Sequence, residues 1–313
     1  MNRRTFVQSS ALFAAEIVAR GVTRAAPVAR IVDTHTHFYD PTRPKGVPWP
    51  EKGSPLYRTV MPRDWLAVAT PLGVTETVII EASAWVEDNA WILELAAREK
   101  CIVGFVGHLL PHDPEFAKHL KRFAANPIFR GIRVSNDDFV AHVNEPDFRR
   151  GIALLADLGL SLDVNGPPAL HPALARLAAD VPALRVVVDH VGSAGDPTRL
   201  TAEWRAGMSA LGRQRNVYCK ISALLEQTAL SATEWGKAPR DTAFYAPILD
   251  HCWESFGEDR VIYGSNWPVC EKGGSYADQF RIVDDYFGTK GEAVRAKYFW
   301  KNSREVYRWL ERA

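Results

Sequence analysis

Arg30-Ile31-Val32-Asp33-Thr34-His35-Thr36-His37 decides how the chain is read. It begins as a short β-branched, apolar run and ends in polar residues, the profile of a buried parallel strand with chemistry at its tip. Seven further segments read as strands of the same kind, at residues 77–83, 101–109, 131–135, 160–165, 185–190, 217–222 and 260–264. Helical periodicity fills the intervals. Trp91, Ile92, Leu95 and Ala96 share one face of a helix that opens near Asp88. Phe116, Leu120 and Phe123 fall at i, i+4 and i+7, and Phe148, Ile152 and Leu155 mark a helix stopped at Gly159. Further helices are expected from about residue 172, over 243–256 and over 291–310.

Eight apolar strands alternating with helices predict a (β/α)8 TIM barrel, and residues 28–313 have the length for one such domain. A doubly wound sheet would alternate in the same way. Its common nucleotide-binding versions are excluded because the chain has no G-x-G-x-x-G and no G-x-x-x-x-G-K-[ST]. Residues 40–62 depart from the rhythm. They carry Pro41, Pro44, Pro48, Pro50, Pro55 and Pro62 with Trp49 and Tyr57, and read as a stiff lid or specificity loop after the first strand.

Composition narrows the function. Of 313 residues, 47% are hydrophobic and 24% charged, which is globular rather than disordered. Lys plus Arg total 38 against 37 for Asp plus Glu, and a net charge of +1 argues against nucleic-acid binding. The four cysteines form no C-x-x-C, so neither a zinc ribbon nor a redox motif is supported. No apolar run reaches 18 residues, so no membrane span is expected. Asn2-Arg3-Arg4-Thr5-Phe6-Val7, a mildly apolar stretch and Arg24-Ala25-Ala26-Pro27 read as a twin-arginine export signal over residues 1–27. That signal would engage the export machinery and deliver a periplasmic or secreted protein, where disulfides are permitted. Neither oligomeric state nor disulfide pairing is legible.

In a strand, residues i and i+2 face one side, so Asp33, His35 and His37 are expected to share a face. His35 and His37 then enter the open end of the barrel, where a third imidazole, His190, closes the sixth strand. Histidines grouped in this way chelate one cation or polarise one carbonyl. Asp189, next to His190, is expected to face away. Asn266, after the eighth strand, points inward by alternation from Ile262. Arg133 and Lys220 are expected either to bind a small anionic substrate or to pair with carboxylates inside the barrel, Asp163 being the partner foreseen for Arg133. Glu81 is a spare base, and Trp49 and Tyr57 either cap a substrate or staple the loop.

The chain resembles the amidohydrolase superfamily, and within it the amidohydrolase-related branch of sugar-lactone and 2-pyrone-4,6-dicarboxylate lactone hydrolases. The resemblance rests on Val32-Asp33-Thr34-His35-Thr36-His37-Phe38, Gly131-Ile132-Arg133, Val188-Asp189-His190-Val191-Gly192, Phe256-Gly257-Glu258-Asp259-Arg260, Gly264-Ser265-Asn266-Trp267-Pro268 and Asn302-Ser303-Arg304-Glu305-Val306-Tyr307. It implies that His35, His37 and His190 converge on the reacting group, with either no cofactor or one divalent metal, zinc or manganese, held by those three. It implies a lactone hydrolase for an anionic or sugar-acid substrate. A metal-dependent amide hydrolase, a non-oxidative decarboxylase and a weakly catalytic ligand-binding barrel are the alternatives. Two departures stand out. The fifth strand ends without a histidine, and Asn266 stands where the superfamily places a proton-accepting aspartate. An amide cannot take a proton at neutral pH.

Overall fold

A computed structural model describes residues 30–228 and 232–312; the expected export signal over residues 1–27 lies outside them. Eight parallel strands follow one another in chain order: β1 (Val32–Thr36), β2 (Glu76–Ile80), β3 (Ile102–His108), β4 (Phe129–Val134), β5 (Ser161–Val164), β6 (Arg185–Val188), β7 (Val217–Ile221) and β8 (Val261–Tyr263). Each pairs with the next. The ring closes through a parallel bridge between Thr36 and Trp267, with the His37 amide donating to the Trp267 carbonyl at 2.9 Å. Helices cover the outside, and the sequence reading of a (β/α)8 barrel holds.

β-Branched residues explain why the strands settle in the middle. Val32, Val78, Ile80, Val103, Val106, Val187 and Ile262 form one buried cluster with Val306, Tyr307 and Trp309. The C-terminal segment thus packs against the end of the barrel opposite the C-terminal ends of the strands. A larger apolar layer joins the outer strand faces to the helices, including Phe116, Leu120 and Phe123 in the spacing expected of one helix face. Burial of this extent is the main stabilising term, at roughly 25 cal/mol per Å² of apolar surface.

The helical tail departs from expectation. Instead of one helix over 291–310, a helix at Glu292–Ala296 passes into a wider π turn at Lys297–Lys301 and a last helix at Asn302–Tyr307. Arg308 then adopts a left-handed conformation (φ 50°), which ends the helix. Among the described residues, no helix is long and apolar enough to cross a membrane. All four cysteines are free.

Candidate active site

The tip of β1 does not follow simple alternation. The register with β2 shifts between Asp33 and Thr36. Asp33 consequently leaves the histidine face. Its carboxylate accepts from the Ser265 amide (2.8 Å), the His35 amide (3.1 Å) and the Tyr276 hydroxyl (3.0 Å), and braces β1 against β8. His35 and His37 do reach the open rim. The His35 ring lies 5.0 Å from that of His37 and 4.5 Å from that of His190, centroid to centroid. Gly264 makes room for this approach, since a Cβ there would stand 2.8 Å from the Cβ of His35.

Below the imidazoles lies a layer of paired charges. Lys220, fully buried, places its Nζ 2.8 Å from Asp163 and 2.9 Å from Asp189. Tyr307 donates to Asp163 at 2.6 Å. Burial raises the Asp163 carboxyl to about 6, against the pull of Lys220. Of the two roles foreseen for Lys220, the ion pair is the one realised: its ammonium contacts two carboxylates and does not line the cavity. Asp189 corrects the reading that it faces away. It continues the alternation of Val187, points into the barrel, and lies 3.7 Å from His35 Nδ1.

His190 reaches the same point by another route. β6 ends at Val188, and His190, Val191, Gly192 and Ser193 all take positive φ (55°, 49°, 61° and 54°). Left-handed backbone costs about 1–2 kcal/mol per non-glycine residue, and a β-branched valine there is a marked outlier. The surroundings impose it. Trp204 Nε1 donates to the Val191 carbonyl (2.8 Å), Gln227 Nε2 donates to the His190 carbonyl (3.2 Å), and a side chain at Gly192 would strike Met208 and His171. This turn swings the His190 ring back over the barrel, where Nδ1 meets Ser222 Oγ at 2.9 Å. Strain held in place by packing is a mark of functional geometry.

Asn266, also left-handed (φ 60°), links two side chains. Its Oδ1 lies 3.1 Å from His37 Nε2, and its Nδ2 donates to Glu226 Oε1 at 2.6 Å. His37 Nδ1 faces the Ile80 carbonyl at 3.0 Å. Burial keeps the imidazoles neutral. It holds His35 well below its ordinary range, assisted by nearby Lys220, and brings His37 to about 4 and His190 to about 3.

A cavity of about 500 Å³ opens above this cluster, lined by His37, Trp49, Glu81, Arg133, Asn165, His190, Glu226 and Asn266 among others. A second, of about 640 Å³, adjoins it and shares Glu81, Arg133, Asn165 and Ser193. Trp49 contacts the His37 ring edge-on, with centroids 5.8 Å apart, so the proline-rich loop does reach the site. Tyr57 does not line the cavity. Leu56 takes the buried position of that turn and Tyr57 beside it stays half-exposed. Arg133 pairs with Glu81 rather than Asp163: its Nε donates to the Glu81 carboxylate at 2.8 Å and its Nη2 to the Glu81 carbonyl at 2.9 Å. Glu81 is thereby neutralised, while the guanidinium still borders both cavities. Sequence reasoning missed Glu226. It sits four residues beyond the end marked for the seventh strand, a lone acid after the apolar run Ala223-Leu224-Leu225.

The donors fit one divalent cation of the zinc type. Ligating atoms of His35, Asp189 and His190 lie within 4.8 Å of one another, and both His35 nitrogens are buried without a hydrogen-bond partner among the described residues. The set differs from the expected one, because His37 spends its nitrogens on Ile80 and Asn266 and Asp189 takes its place.

Comparison with known proteins agrees with this geometry. Residues 32–309 match the family model described as amidohydrolase. A curated L-fucono-1,5-lactonase of Burkholderia ambifaria is 28% identical over 289 residues, covering 88% of this chain and 95% of its own. An amidohydrolase of Burkholderia multivorans, crystallised with bound HEPES, superposes with a TM-score of 0.80 at 26% identity, over 90% of this chain and 100% of that one. Its zinc-bound crystal form gives 0.79 at 27% identity, with the same coverage.

Proposed function

The chain belongs to the amidohydrolase family, and from that premise we propose that it is a hydrolase that opens the lactone of a sugar acid. The observation that carries the proposal is the convergence of His35, His37 and His190 beneath a cavity whose wall presents His37, His190 and Arg133. A lactone carbonyl seated there lies over the neutral imidazoles of His35 and His190, which can stabilise the oxygen on which negative charge develops, the place where fixed dipoles lower a barrier most, while His37, held by Ile80 and Asn266, orders the cluster. Arg133 supplies a planar, charged fork for hydroxyl or carboxylate oxygens. Trp49 offers a flat apolar face over the His37 side of the cavity. A zinc-type cation on His35, Asp189 and His190, when bound, would act as a Lewis acid on the carbonyl. The relatives named L-fucono-1,5-lactonase support a six-membered sugar lactone as the substrate class. Export through the twin-arginine signal belongs to the same reading and is supported by Arg3 and Arg4.

The test is proton release in a pH-stat. Adding L-fucono-1,5-lactone or a related aldono-1,5-lactone to the purified protein should release one equivalent of acid per lactone opened, well above the uncatalysed rate. Carbon dioxide from an aromatic carboxylate with no acid from lactones would contradict the proposal in favour of a decarboxylase. Binding of the lactone without turnover would contradict it in favour of a binding protein.

A further inference from the structure

Lactone opening by water needs a group that takes a proton, and most candidates at the rim are already engaged. Asn266 has no basic atom. Glu81 is held by Arg133, and Asp33 accepts three hydrogen bonds away from the cavity. Asp163 and Asp189 pair with Lys220, and although neither Asp189 oxygen has a hydrogen bond among the described residues, neither residue lines the cavity. Glu226 is different. One carboxylate oxygen, Oε1, accepts from Asn266; the other, Oε2, is shielded from solvent and has no hydrogen-bond partner among the described residues. The residue lines the same cavity as His37, His190 and Trp49.

The carrier of Glu226 is tied to the carrier of His190. Its neighbour Gln227 donates to the His190 carbonyl at 3.2 Å and to the Ala223 carbonyl at 2.9 Å, and accepts from the Gly195 amide at 2.9 Å. The turn after β7 and the left-handed turn after β6 are thus one braced unit, and it holds both side chains at the rim.

We propose that Glu226, docked on Asn266, is the catalytic residue that transfers the proton in lactone opening. The inference rests on the lactone-hydrolase reading and supplies the group which that reading leaves unnamed. As the water oxygen bonds to the lactone carbonyl carbon, one water proton passes to Glu226 Oε2. As the tetrahedral intermediate collapses, the bond from that carbon to the ring oxygen breaks, and Glu226 returns the proton to the departing oxygen. The product is the open hydroxy acid, and the carboxylate is regenerated.

The amide between Glu226 and His37 suits this cycle. The proton goes to Oε2, so Oε1 accepts from Asn266 Nδ2 whether the carboxyl is ionised or protonated. Asn266 therefore holds Glu226 in one position throughout the cycle. Burial pushes the carboxyl up to about 7, against the donation from Asn266 and the charge of Lys272. The titratable groups that bear on it are Lys272, Tyr245 and Cys270. A base poised near the working pH is the most effective kind.

The experiment measures kcat/KM for aldono-1,5-lactone hydrolysis against pH in wild type, Glu226→Gln, Glu226→Asp and Glu226→Gln/Asn266→Asp. The wild-type rate is expected to rise with pH along a limb near 7. Glu226→Gln is expected to lose ~10²–10⁴-fold and the limb with it. Asn266→Asp in that background is expected to restore at least tenfold, because it returns a carboxylate to the same spot. Glu226→Gln within about threefold of wild type, with the limb in place, overturns the assignment. So does a double variant no better than the single one. Should Glu226→Gln fail to fold, Glu226→Asp decides: a displaced limb supports the assignment and a superimposable profile overturns it. A wild type that opens no lactone refutes the underlying reading and the assignment with it, whereas an active wild type matched by Glu226→Gln refutes the assignment alone.

Discussion

Two polar layers are stacked at one end of this barrel, and they are built on opposite terms. In the lower layer every charge has its counterpart: Lys220 pairs with Asp163 and Asp189, and Tyr307 donates to Asp163. In the upper layer, polar atoms lack hydrogen-bond partners among the described residues: both nitrogens of His35, Oε2 of Glu226 and, at the boundary between the layers, both oxygens of Asp189. Buried polar groups are almost always satisfied, so unsatisfied ones clustered under a cavity mark the place a ligand completes. The lower layer is a scaffold, and the upper layer is the working surface it supports. Asp189 touches both, since it pairs with Lys220 below and approaches His35 above.

Substitutions should separate the layers. The largest effect on stability belongs to the lower one. Lys220→Met strands two buried carboxylates and should cost about 3–5 kcal/mol, read as a fall in the urea midpoint. A midpoint unchanged from wild type would erase the distinction between scaffold and site. In the upper layer the order reverses. His190→Ala should lower kcat by ~10²–10³-fold while Tm moves by only a few degrees, because the left-handed turn is held by backbone contacts that the substitution leaves alone. A collapse of Tm alongside kcat would make His190 part of the scaffold. The smallest effect is on the pH dependence of stability. The folded value for Glu226, about 7, lies above the ordinary 4.5 of its carboxyl, so the fold favours the protonated form. The stability this contributes is complete below about pH 4.5 and is lost as pH rises through 7. Glu226→Gln removes that loss, and its Tm relative to wild type should climb between pH 5 and pH 8. A difference in Tm that stays flat over this range would show that the carboxyl is not destabilised by its surroundings.

The barrel was legible because eight β-branched runs separated by helical periodicity admit few other arrangements. The histidines at the tips of β1 and β6 were legible from their position at strand ends. The details of the site were less so, for local reasons. A register shift in β1 turns Asp33 away from His35, and strict alternation cannot anticipate it. At the end of β6, alternation correctly applied puts Asp189 inward; His190 joins it only because four consecutive left-handed residues reverse the chain. Lys220 stayed open between substrate ligand and ion-pair partner, because a buried lysine and an exposed one are the same letter until their partners are known. Glu226 gave only a weak signal, since its contact with Asn266 spans 40 residues and depends on the shape of two loops. The segment over residues 1–27 lies outside the described structure, so the export reading rests on its sequence alone.

The most direct test of the account is a crystal structure with the hydroxy-acid product of an aldono-1,5-lactone bound. The account predicts the new carboxylate at the corner between His35 and His190, within hydrogen-bonding reach of Glu226, with the chain of hydroxyls running toward Arg133. A product seated away from the imidazoles, in the adjoining cavity beside His108 and Asp138, would contradict it.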